Sequence, residues 1–111
     1  MDIWLTASFH CPSEDSSFWR EILEDLADFK AGALLQERIE HFGPKAAAKI
    51  EAMMDEYDMS YWFIQEWFEE NGEFSFEIEG GAQTEAFAED LAELLALCRA
   101  TSVQVDVEPE E

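Results

Sequence analysis

The side chains in this sequence that could do chemistry are overwhelmingly carboxylates. Twenty-seven Asp and Glu stand against six Lys and Arg, a formal net charge of −21 over 111 residues. Between Glu51 and Cys98 there are 14 carboxylates and no Lys, Arg or His. Paired carboxylates can act as general acid and base, but that work needs one carboxylate whose surroundings set it apart from its neighbours. No pair in this chain is so distinguished. The chain is therefore read as non-enzymatic, with no catalytic residue. A carboxylate enzyme would instead show one strongly raised pKa in a closed apolar pocket.

Other chemistry is poorly supplied. His10-Cys11 and Cys98 are too few and wrongly spaced for a zinc site, and the two cysteines are expected at opposite ends of the sheet. Asp55-Glu56-Tyr57-Asp58 lacks the glycine and terminal glutamate of a calcium loop. Gly80-Gly81 lacks the spacing of a phosphate-binding loop. No metal and no cofactor is expected.

What remains is binding by charge. Like charges at this density repel and oppose the compact state, and a domain that needed only solubility would mix both signs. A strongly basic partner would neutralise them, and basic surfaces are typical of proteins that bind nucleic acid. The expected function is thus a non-catalytic acidic inhibitor. It would occupy the nucleic-acid groove of a nuclease toxin, a restriction enzyme or a CRISPR effector, as immunity and phage anti-defence proteins do. The alternative is an acidic adaptor or regulatory subunit with an ordinary protein partner. Adaptation to high salt and a merely solvated acidic surface are the plainer readings of the same composition.

The residues expected to meet the partner are Glu21, Glu24, Asp25 and Asp28 on one helix, then Asp55, Asp58, Glu66, Glu69 and Glu70, with Trp62 as apolar anchor. Steps of three or four residues on a helix advance roughly 4.5–6 Å, comparable to a phosphate row at about 3.4 Å per step. Trp62 falls on the polar side of the predicted third helix, where it suits an interface, whether with a partner or in a homodimer. Glu66, Glu69 and Glu70 at that helix's C-terminus would sit against its dipole, a local cost of the kind functional surfaces carry.

These side chains need elements to position them. Ile3, Leu5, Ala7 and Phe9 alternate with polar residues, which predicts a strand. Ser16 or Ser17 should cap a helix whose stripe is Phe18, Ile22, Leu26 and Phe29. Gly32 shifts the phase into a short helix ending near His41, and Gly43-Pro44 opens a third. From Pro44 to Glu70 the apolar arc Ala46, Ile50, Met53, Met54, Tyr57, Tyr61, Ile64 and Phe68 favours one long helix. Asn71-Gly72 argues for the rival, a hairpin from about Tyr61. Phe74, Phe76 and Ile78 mark a strand, Thr84 caps the last helix, and Val103, Val105 and Val107 mark the final strand.

Every predicted strand is apolar on one face only, so helices should cover one face of the sheet. The fold class expected is a two-layer α+β domain with a three-stranded sheet. With the hairpin, the sheet becomes four-stranded and follows the ferredoxin-like βαββαβ plan. The strands before and after the last helix should be parallel, with the N-terminal strand between them. Residues 1–108 form one domain and 109–111 a frayed acidic tail. The sheet's open face would show Asp2, Glu73, Glu77, Glu79, Asp106 and Glu108. RNA-binding sheets of this plan show aromatics among basic residues, so direct nucleic-acid binding is excluded by sign. No apolar run is long enough to span a membrane, anionic lipid surfaces would repel the chain, and no signal segment opens it. The protein is read as cytoplasmic. Crowding should raise carboxylate pKa values, and added salt should stabilise the fold.

Overall fold

The first strand, β1 (Ile3–His10), lies inside the sheet, and its alternation is read out directly as burial. Leu5, Ala7 and Phe9 are fully buried, while Thr6 is exposed. In this computed structural model, residues 3–28 and 33–109 are described. The expectations placed on Asp2, Phe29, Gly32, Glu110 and Glu111 lie outside them.

Three helices follow β1: α1 (Ser16–Ala27), α2 (Ala33–Glu40) and α3 (Pro44–Glu56). Asp15, rather than a serine, holds the N-cap position of α1, with no side-chain capping bond. Gly43 has φ 112°, a conformation open to glycine, and Pro44 begins α3 as its fixed φ favours. Then come β2 (Glu66–Glu70), β3 (Glu73–Gly80), α4 (Thr84–Leu97) and β4 (Thr101–Pro109). Thr84 opens α4 as its first residue, and its hydroxyl donates to the carbonyl of Gly81 at 2.6 Å.

The long third helix is corrected: α3 ends at Glu56. Tyr57 turns extended, at φ −112° and ψ 144°. Asp58 then caps a 3-10 turn over Met59–Trp62 by accepting the Ser60 N–H at 2.9 Å. The apolar arc is real as burial, since Tyr57, Tyr61 and Ile64 all join the core. Its helical phase is not real, because Tyr57, Tyr61 and Trp62 cluster round Phe87 of α4 with centroids 5.0–5.4 Å away. Tertiary aromatic packing overrides the local period. The hairpin is present, with Asn71 at φ 50° and Gly72 at φ 81° between β2 and β3, as a primed two-residue turn requires.

The sheet has the order β2-β3-β1-β4, and all neighbours are antiparallel. β3 and β4 are therefore parallel, joined by α4 and separated by β1. This is the βαββαβ plan with three helices in the first crossover, and the fold is two-layer α+β. Phe74, Phe76 and Ile78 face inward with Leu5, Ala7 and Phe9. They pack on Trp19, Ile22, Leu23 and Leu26 of α1 and Phe87, Leu91, Leu94 and Leu95 of α4. Pro109, expected in the tail, is the last residue of β4 and pairs with Ile3. No helix among the described residues is long and apolar enough to cross a membrane.

The expected separation of the cysteines is also corrected. Because β1 is antiparallel to β4, His10 pairs with Thr101. Cys11, just after β1, and Cys98, just before β4, thus lie toward the same end of the sheet. Cys98 is buried and Cys11 half-buried, and both are free thiols.

Candidate interaction surface

The side chains on the open face of the sheet follow from the register. β3 contributes Glu73, Ser75, Glu77 and Glu79, and β2 contributes Glu66, Phe68 and Glu70. The central strand supplies Trp4, Thr6, Ser8 and His10, and β4 supplies Gln104, Asp106 and Glu108. Five of the six carboxylates expected here are in place, and the sixth, Asp2, lies outside the described residues. The hairpin adds Glu66 and Glu70.

Two features of this face oppose folding. Glu66 stands directly opposite Glu77, and Glu70 opposite Glu73. Like charges in direct cross-strand register destabilise a sheet. Phe68 lies between these pairs, with 57% of its surface exposed. Among the described residues no Lys or Arg lies on this face. The one cationic candidate is His10, whose Nε2 sits 3.3 Å from Glu73.

The helical layer is different, because its acids are partly neutralised. Arg38 of α2 bonds Asp25 and Glu21 of α1, each at 2.9 Å. Lys49 of α3 bonds Asp90 and Glu93 of α4 at 2.8 and 2.5 Å. Arg20 of α1 forks onto Glu69 of β2 at 2.5 and 2.7 Å. Arg99 holds the buried carboxylate of Asp15 at 3.0 Å and lies over the Phe42 ring at 5.4 Å. Asp15 was not singled out in the sequence, and no local pattern marks it, since its partner is 84 residues away.

The residues expected to bind therefore fall into separate groups. Glu21 and Asp25 are paired to Arg38. Glu24, Asp28 and Asp55 are exposed on the helical layer. Asp58 caps its turn. Glu66 and Glu70 lie on the open face, whereas Glu69 points to the opposite side of β2, toward Arg20. None of these three sits at a helix C-terminus, so the dipole argument for them does not hold. Trp62 is corrected as a surface anchor: it is 3% exposed and packed edge-on against Phe87. Phe68, read as part of a buried arc, is the exposed aromatic instead.

Crowding does not raise the carboxylates that the structure sets apart. The Lys49 ammonium and then the Tyr57 hydroxyl hold Asp90 below the usual carboxylate range. Arg20 does the same for Glu69, and the Ser60 hydroxyl and N–H do so for Asp58. Local donors outweigh diffuse repulsion at these sites. Burial pushes the Cys98 thiol up to about 12.

One cavity of about 20 Å³ lies between the sheet and α1, α2 and α4, and its lining, which includes Leu26, Leu35, Trp62 and Leu91, holds no ionisable side chain. Among the described residues no group of three or more His, Cys, Asp or Glu is arranged to hold a metal ion. Comparison with family models, curated proteins and solved structures gave no match.

Proposed function

We propose that this protein is a non-catalytic acidic binding protein that blocks the basic, nucleic-acid-binding surface of a protein partner with the open face of its sheet. One observation carries the reading. On this face two glutamate pairs are placed in direct opposition with no lysine or arginine beside them, although Arg20, Arg38 and Lys49 are each paired with acids elsewhere in the chain. That placement costs stability and brings no packing in return.

Edge protection alone does not account for it. Acidic side chains on the edge strand β2 would discourage edge-to-edge pairing, but Glu73 and Glu77 are on β3, which has neighbours on both sides. RNA-binding sheets of this plan stack bases on aromatics set among basic residues. Here the layout is kept and the sign is reversed, so the ligand it suits is the protein surface that would otherwise hold phosphate. Direct contact with nucleic acid is opposed by the same charge. Complementary charge would give fast, salt-sensitive association.

The test is capture on immobilised protein from lysate, with stepwise salt elution, followed by competition with duplex DNA for what is captured. The expected result is nucleic-acid-binding proteins that elute at moderate salt and that DNA displaces. Partners that resist salt and bind DNA and this chain together would refute the inhibitor reading and favour the adaptor.

A further inference from the structure

The proposed face has a centre, and its geometry points to one kind of side chain on the partner. Phe68 is the most exposed of the large apolar side chains among the described residues, at 57%. Along β2 it is flanked by Glu66 and Glu70, each about 6.7 Å away at strand spacing. Across the sheet it faces Ser75, whose neighbours on the same face of β3 are Glu73 and Glu77. These diagonal positions lie roughly 7–8 Å from Phe68. One aromatic ring thus stands at the middle of four carboxylates.

We infer, building on the function proposed above, that this surface docks an arginine-bearing segment of the partner, one guanidinium lying on the Phe68 ring and bonding to the glutamates around it. A guanidinium is planar and weakly hydrated, stacks on aromatic faces and presents a fork of donors that matches a carboxylate. A cation over a ring within about 6 Å of its centroid is attracted by the ring's negative face. A lysine ammonium meets the charges equally well but is more strongly hydrated and cannot lie flat on the ring. A neutral apolar segment would satisfy Phe68 and leave four carboxylates desolvated, which is costly. A second copy of this chain would bring like charge to like charge. A cationic, planar side chain satisfies both parts of the patch at once.

The experiment uses the whole chain with two probes, nona-arginine and nona-lysine, titrated at equal ionic strength and followed by amide and aromatic NMR shifts. The arginine probe should bind roughly threefold or more tightly and should move the Phe68 ring resonances. Phe68→Leu, which keeps apolar bulk on an exposed site, should lower arginine affinity toward that of lysine and leave lysine affinity unchanged. Equal affinities, or a preference for arginine that survives Phe68→Leu, would overturn this inference. In both of those cases the proposed function stands, provided both probes still shift the residues of the open face. If neither probe perturbs that face and both shift only the helical layer, the function reading falls and takes this inference with it.

Discussion

Trp62 and Phe68 exchange the roles that their sequence surroundings imply. Trp62 sits among polar residues when drawn on a helix, and Phe68 sits in the apolar arc. Once the backbone turns extended at Tyr57, the Trp62 ring swings onto Phe87, and Phe68 falls on the outer face of an edge strand. Trp62→Ala should therefore cost about 3–5 kcal/mol by denaturant unfolding, as for a buried aromatic, with no specific effect on binding. Phe68→Ala should leave the unfolding midpoint nearly unchanged. The cysteines make a second test at this scale. Burial that pushes Cys98 to about 12 keeps its thiolate scarce at neutral pH. Thiol titration at pH 8 should find Cys98 unreactive until the protein unfolds, and prompt reaction of both thiols in the folded state would contradict that burial.

At the scale of elements, alternation and caps were legible, and the choice between helix and hairpin was not. The strands at Ile3, Phe74 and Val103, the glycine and proline opening α3 and the helix after Thr84 all carry local signals that tertiary structure respects. The segment from Tyr57 to Glu70 carries two signals at once, a helical arc and Asn71-Gly72. Only the packing of three aromatics on α4 decides between them, and that packing is non-local. The α3–α4 contact is fastened by Lys49, Tyr57 and Asp90, with the Tyr57 hydroxyl donating to Asp90 at 2.7 Å. Because Asp90 is held low in the folded state, its contribution to stability is present above the ordinary aspartate value and is lost as pH falls through the lower folded value. Tyr57→Phe should cost about 1 kcal/mol and shift the acid unfolding midpoint to higher pH. An unmoved midpoint would mean the bond contributes nothing. The opposed glutamates predict the reverse kind of change. Glu77→Gln should stabilise the fold by roughly 0.2–1 kcal/mol at low salt, and a lower melting temperature would show that the pair is not repulsive.

For the molecule as a whole, net charge was plain in the sequence, but its distribution was not. Composition marks a strongly acidic chain without saying where its six bases go. The ion pairs Arg20–Glu69, Arg38–Asp25 and Lys49–Asp90 join residues 13 to 49 positions apart, so no local pattern could show that the helical layer is partly neutralised and the sheet face is not. Glu21 and Asp25 of the expected helical stripe also join α1 to Arg38 of α2. Self-repulsion still acts over the whole surface, so added salt should raise the melting temperature by screening it. A melting temperature that does not respond to salt would contradict that account.

The claim that the open sheet face is the binding surface is tested most directly by two variants that each remove four charges. One carries Glu66→Gln, Glu70→Gln, Glu73→Gln and Glu77→Gln, and the other carries Glu24→Gln, Asp28→Asn, Asp55→Asn and Glu56→Gln on the helical layer. Affinity for the captured partner, measured at one salt concentration, should fall at least tenfold in the first and about as far as charge loss alone dictates, less than threefold, in the second. Equal losses in the two variants, or a larger loss in the helical one, would contradict it.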